Sequence, residues 1–240
     1  MFERLSDEGL AQTSYIIACE RTRQALVIDP RRDIDAYTAL AARSGLKIAY
    51  AIETHTHADF VSGARELAAL GARVIAGPGA ALRFPFVEAK PGEVLRVGDV
   101  SVEFLHTPGH TPEHISLLVR QPGQPVRVFT GDTLFVGAVG RPDLPGRARE
   151  NAGQLYDSIR DKLMALPDDL EVYPGHFAGS ACGAGMSGKP SSTIGFEKRW
   201  NALLSTSREG FIDALADVPA KPAAMEQILR ANQGRPESAP

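Results

Sequence analysis

The chain has 240 residues, 43% of them hydrophobic, and a formal charge of −3 with acidic and basic residues interspersed. That length allows one large domain or two small ones with an ordinary core, and that charge gives no electrostatic reason to expect a nucleic-acid or membrane-surface partner. Two cysteines, Cys19 and Cys182, are too few for a disulfide framework; residues 1–10 lack a signal peptide's basic and apolar parts, and no apolar run could span a bilayer, so a cytoplasmic location is expected.

In chain order, the β-rich runs Tyr15–Cys19 and Ala25–Ile28 flank a polar turn and predict a hairpin. Asp33 then stands where it can cap a helix whose apolar positions Ile34, Tyr37, Leu40 and Ala41 follow helical spacing, with Gly45 as its stop. The strand Ile48–Glu53 delivers the segment THTHADF, and Val61, Ala64, Leu67 and Ala68 predict a helix ending at Gly71 before a strand over Arg73–Ala76. Alternation at Val100, Val102 and Phe104 predicts a half-buried antiparallel strand, and Ile115–Val119 and Val126–Phe129 flank a Pro-Gly turn as a second hairpin. Leu155, Ile159 and Leu163 line one face of a helix, Leu170–Tyr173 is a strand, and helical spacing resumes at Phe196, Trp200, Leu203 and Leu204 and again near Met225, Ile228 and Leu229. One domain over residues 1–232 is expected, with residues 233–240 a disordered tail.

The chain has six histidines, and five sit in motifs that can converge. His55 and His57 alternate at a strand end and so share a side, with Asp59 just beyond. His110 and His114 lie in TPGHTPEH, Asp132 follows an apolar run in FTGDTLF, and His176 ends YPGH. Each candidate follows a strand, in a loop at its end, where catalytic groups usually sit. Neutral imidazole plus carboxylate is a ligand set for zinc, iron or manganese. His106 and Cys19 carry no functional expectation, Cys19 because its apolar strand reads as core.

The succession THTHAD, TPGHT, GDTLF and YPGH resembles the metallo-β-lactamase superfamily, in family order across residues 13 to about 177. The resemblance implies an α/β fold, a four-layer αβ/βα sandwich with two mixed β-sheets packed face to face and helices outside, and a metal site at one edge. Superfamily hydrolases such as glyoxalase II commonly use two metals, the second taking the Asp and final His of HxHxDH and a later His. Here Phe60 occupies that final position and has no lone pair to donate.

The subfamily most resembled is the persulfide dioxygenase group, in the bacterial branch often fused to rhodanese domains. DPRRD, ETHTHADFVSG, VGRPDLPG and PSSTIGFEKR carry the likeness. It implies one Fe(II) per chain on His55, His110 and Asp132, a 2-His-1-carboxylate arrangement whose open positions suit an oxygenase. It further implies glutathione persulfide, or another small persulfide such as that of coenzyme A, and O2 as substrates, a possible separate rhodanese-type sulfurtransferase, and a possible homodimer. The competing expectations are a zinc-dependent glyoxalase II-like thioester hydrolase and a non-catalytic sulfur-binding module; intact His55, His110 and Asp132 argue against the second.

Around that site His57 is expected beside the metal in the one-iron reading and as a ligand if the metal is zinc in a hydrolase, and Asp59 and His176 as a hydrogen-bonded pair orienting water or other ligands. His114 either orients a ligand-bearing loop or is an ordinary buried histidine. Arg141 is the candidate clamp for a substrate carboxylate, with a salt bridge to Asp143 as the competing role. Tyr173 places its hydroxyl in the pocket or packs in the core, and Lys198 and Arg199 read as a solvated helix face, with contact to a glutathione carboxylate as the competing role. Cys182, among glycines and serines, is a candidate sulfur carrier if it is not an inert buried thiol.

Overall fold

The computed structural model describes residues 1–143, 146–216 and 224–235. Its first sheet runs in the order β1 (Phe2–Asp7), β2 (Gln12–Cys19), β3 (Gln24–Ile28), β4 (Lys47–Ile52), β5 (Arg73–Ala76), β6 (Val87–Glu88), antiparallel up to β3 and parallel from there. The second comprises β7 (Val94–Val97), β8 (Val100–His106), β9 (Ile115–Arg120), β10 (Arg127–Gly131), β11 (Glu171–Pro174) and β12 (Ser192–Thr193) in consecutive order, antiparallel except for the parallel pair β10 and β11. Parallel neighbours need a crossover: α1 (Asp35–Arg43) joins β3 to β4, α2 (Ala64–Ala69) joins β4 to β5, and α3 (Ala148–Ser158) leads from β10 to β11.

Alternation along the strands builds the layers. Tyr15, Ile17, Leu26, Ile28 and Ile52 face Val100, Val102, Leu117 and Phe129 in the core between the sheets. The intervening residues Ile16, Val27, Ala51 and Val74 face outward and pack on Tyr37 of α1 and Leu67 of α2. Leu118, Val128 and Val172 do the same on the second sheet, against Leu155, Ile159 and Leu163, where α3 widens into one π-helical turn at Ile159–Leu163. Burial on both faces leaves all of β2 inaccessible, each such aliphatic side chain contributing about 1.5–3 kcal/mol relative to exposure. The result is the expected α/β sandwich of two mixed sheets with helices outside.

Several elements depart from the sequence reading. Residues 2–7, read only for the signal features they lack, form an edge strand on β2. The helical face assigned to Phe196 and Trp200 is corrected: α4 (Ile194–Trp200) turns Ile194 and Glu197 inward and leaves Phe196 and Trp200 40% and 66% exposed. Extended backbone at Asn201 breaks the helix before the 3₁₀ turn Ala202–Ser205, so the spacing that seemed to run on to Leu203 and Leu204 crosses a break. Within the expected tail, Gln233–Arg235 close α6 (Met225–Asn232), with the Gln233 carbonyl accepting from the Arg83 amide at 2.9 Å; residues 236–240 lie outside the described residues. A further helix, α5 (Arg208–Ala216), packs Phe211 on the second sheet's outer core. No helix among the described residues is long and apolar enough to cross a membrane.

Candidate metal centre

The motif-bearing loops follow the ends of β4, β10 and β11 and the β8–β9 turn, and all meet at one edge of the paired sheets. The edge is laced together: the Tyr15 hydroxyl donates to the Pro174 carbonyl at 2.6 Å, and the Thr13 amide to the Gly175 carbonyl at 2.8 Å. Close approach there requires glycine. Gly131 has φ +47°, and a Cβ on it would stand 2.6 Å from both His114 Nε2 and Thr54 Oγ1; a Cβ on Gly140 would collide with the Asp132 carbonyl at 1.8 Å.

His55, His110 and Asp132 come together, one donor atom from each lying within 4.8 Å of the others. Asp132 Oδ2 is 3.8 Å from His55 Nε2 and 3.5 Å from His110 Nε2. All three residues are at most 2% exposed, and none of these three atoms has a hydrogen-bond partner. Orphaned buried lone pairs are costly, on the order of 1–3 kcal/mol each, unless something binds them. Three that converge fit one divalent metal ion.

The remaining ring nitrogens fix the histidine tautomers. His110 Nδ1 donates to the Arg141 carbonyl at 2.8 Å, leaving Nε2 free. His55 Nδ1 stands 3.0 Å from Thr54 Oγ1, whose hydroxyl proton goes to Asp29 Oδ2 at 2.8 Å, so the hydroxyl oxygen accepts from His55. Burial pushes the His55 pKa well below its ordinary value and keeps the imidazole neutral. His114 serves Asp132: its Nε2 accepts from the Asp132 amide at 3.0 Å, and its Nδ1 meets the hydroxyls of Thr107 and Thr133 at 2.9 and 3.0 Å.

A second cluster adjoins the first through Asp132. His176 Nδ1 donates to Asp132 Oδ1 at 2.7 Å, and its Nε2 is 2.8 Å from Asp59 Oδ2. Burial opposes the charge, but Asp132 and Asp59 raise His176 to about 10. Asp132 is itself held well below the carboxylate range, against burial, by His176 and His55. Cys182 completes this group. Burial, and then Asp132 and Asp59, push its thiol well above the ordinary value.

His57 turns its Nε2 away, to 3.1 Å from Asp29 Oδ1 and 3.3 Å from Glu53 Oε2, while its ring lies 4.2 Å from those of His55 and Phe60. Although burial opposes it, Asp29 raises the His57 pKa well above normal. His106 bonds the Pro112 carbonyl at 2.9 Å through its ring.

Two substrate-binding expectations are corrected. Arg141 is 4% exposed, and its guanidinium is held in a bidentate pair with Asp143 at 2.7 and 2.8 Å and donates to the Ala181 carbonyl, so it braces the loops instead of clamping a substrate. Tyr173 donates its hydroxyl to Glu171 at 3.1 Å and packs among Phe2, Tyr15 and Phe129, a core aromatic. Lys198 pairs with Asp168, and Arg199 lies over the exposed Trp200 ring. Sequence reasoning missed Asp29, Thr54 and Glu53. Asp29 stands in the left-handed region at φ 48°, which aspartate tolerates but which the following Pro30, favouring extended backbone before it, does not announce.

Two face-to-face mixed sheets with a His/Asp metal cluster at one edge define a metallo-hydrolase-fold enzyme. The family model described as the metallo-beta-lactamase superfamily matches residues 7–176, and the chain belongs to that superfamily. The persulfide dioxygenase ETHE1 of Homo sapiens is 30% identical over 97% of this chain and 85% of its own length. The structure of ETHE1 from Myxococcus xanthus superposes with a TM-score of 0.86 at 34% identity, covering 97% of this chain and 98% of that one. A hydroxyacylglutathione hydrolase of Polaromonas sp. is 40% identical over 68% of this chain; the chain spans about three fifths of the length of the hydrolases first matched, 61% for this one.

Proposed function

We propose that the chain is a mononuclear non-haem Fe(II) persulfide dioxygenase, converting a small thiol persulfide such as glutathione persulfide, with O2 and water, to the free thiol and sulfite. The observation that carries the reading is the inequality of the two clusters. One turns three donors without hydrogen bonds toward one point, whereas in the other His176 stands between Asp132 Oδ1 and Asp59 Oδ2 at 2.7 and 2.8 Å, with only its Nε2 and Asp59 Oδ1 lacking a hydrogen bond, and Phe60 supplies no ligand. Correspondence over 97% of this chain with the ETHE1 proteins of Homo sapiens and Myxococcus xanthus supports it.

In this reading His55, His110 and Asp132 hold the iron, which supplies the redox chemistry that joins oxygen to the outer sulfur. The reaction balances as RSSH plus O2 plus H2O giving RSH plus sulfite and two protons. His114 and the Asp29–Thr54 pair fix the ligand orientations, and His176, donating from Nδ1 to Asp132 Oδ1, ties that ligand to Asp59. Asp59 and Phe60 border a surface cleft of about 420 Å³ that also contains Arg31 and Arg32. Arg31 is paired there with Asp7 and Arg32 stands 3.4 Å from Glu66, and Asp33 also lines the cleft, so both cations are already partnered.

Anaerobically purified protein tests the reading by metal analysis coupled to oxygen uptake. One iron per chain with persulfide-dependent O2 consumption is expected. Likeness to the hydroxyacylglutathione hydrolases carries the second reading, a zinc thioester hydrolase. Two zincs per chain with O2-independent thioester cleavage would replace the dioxygenase by that enzyme.

A further inference from the structure

Between β4 and α2 the backbone of His57–Gly63 has little regular pairing of its own, yet its polar groups are largely buried and need partners. One flank is served by the turn after β3: the Arg32 amide donates to the Val61 carbonyl at 3.0 Å, and the Gly63 amide to the Pro30 carbonyl at 2.8 Å. The other flank is served by one side chain from far along the chain. Asn232, 7% exposed on α6, donates from Nδ2 to the carbonyls of His57 and Phe60, both at 2.8 Å, and accepts from the Ser62 amide on Oδ1 at 2.8 Å.

A carboxamide is the side chain that offers two donors and an acceptor in one plane, and all are used here. Aspartate would keep the acceptor for Ser62 and lose both donors. The helix that presents Asn232 is seated independently, through Gln233 on Arg83, and Gly234 closes it at φ +68°.

We propose that Asn232 is a positioning residue of the metal centre. It acts through the His57–Ser62 backbone on the two groups joined to that loop: His55, two residues before His57 in the same motif, and Asp59, which stands against His176. The proposal rests on the metal-site reading but on neither the identity of the metal nor the reaction. The loop bearing the metal motif is thereby fastened from outside the segment that defines the family, since the family match ends at residue 176.

The test titrates the metal-free full chain with Co(II), reading affinity by chelator competition and coordination geometry from the visible spectrum, with circular dichroism melts to establish that each variant is folded. Asn232→Ala and Asn232→Asp are each expected to bind Co(II) about 10- to 100-fold more weakly with shifted visible bands. Gln227→Ala, exposed on the same helix, is expected to match the parent chain. Should Asn232→Ala misfold, the near-isosteric Asn232→Asp decides. Affinity and spectrum within twofold of the parent overturn the proposal, as does equal weakening by Gln227→Ala, which would assign the effect to helix packing. If the parent chain fails to bind Co(II), or His55→Ala binds it equally well, the metal-site reading fails first, and that outcome is distinguishable from the others.

Discussion

Two histidine–carboxylate clusters share Asp132 and differ in what their atoms lack. Around His55 and His110 the facing atoms have no partner, and their other nitrogens are spent on Thr54 and Arg141. Around His176 both ring nitrogens face a carboxylate, and Phe60 stands where another ligand would be needed. Proximity alone therefore does not make a metal site. The first cluster turns three donors without hydrogen bonds toward one point, while in the second the two carboxylates raise the pKa of the His176 between them to about 10.

Removing a donor from the first cluster is the most severe test. His110→Ala leaves two ligands, and metal content and oxygen uptake are expected to fall at least about a hundredfold, beyond what changes outside the ligand set cause. Metal analysis and an oxygen electrode measure both, and a variant that kept its metal would break the contrast. Arg141 links the clusters, since its carbonyl accepts from His110 and its amide donates to the Cys182 carbonyl. Arg141→Ala removes the bidentate partner of the buried Asp143 carboxylate and is expected to cost about 3 kcal/mol in a denaturant melt. A changed KM with unchanged stability would instead restore the substrate-clamp role.

Phe60→His returns a lone pair to the second cluster, and zinc bound at saturation is expected to rise from one toward two per chain. A stoichiometry fixed at one would show that the His176 pairing, not the missing ligand, closes that cluster. The pairing has its own pH signature in metal-free protein. Because the folded pKa of His176 is raised from 6.5 to about 10, its stabilisation is fully present below about pH 6.5 and lost as pH rises through about 10. The melting-temperature gap between the parent and His176→Gln should accordingly be widest near pH 6 and close toward pH 10. A gap independent of pH would remove the imidazolium from the account.

The histidine motifs and the main strands were legible because alternation and strand-end loops leave marks along the chain. Ile16 and Ile17 face opposite layers as their positions require, and His55, His110 and Asp132 each follow a strand or its turn. Short edge strands such as Val87–Glu88 and Ser192–Thr193 are two residues long and show no period to read. Partner choice was equally hidden. Arg141 and Tyr173 have the right chemistry for a substrate, and only the fold shows it turned on Asp143 and Glu171. Asn232 gave no signal at all, since its partners are backbone atoms some 170 residues away.

The smallest effect is expected at Cys182, and it bears on whether the second cluster takes part in sulfur transfer. Its residue is 3% exposed, packs with Phe135, Ala138 and Met186, and faces two carboxylates that disfavour a thiolate. A thiol kept protonated is a poor nucleophile, so a covalent relay through it would be slow at neutral pH. Cys182→Ala removes the sulfur with little change of shape, and sulfite formation from preformed glutathione persulfide is expected to stay within about twofold, as for a small buried side chain outside the chemistry. A tenfold or greater loss with an unchanged melting temperature and metal content would place sulfur chemistry in the second cluster. The two clusters would then divide the reaction between them, one holding the metal and the other the sulfur.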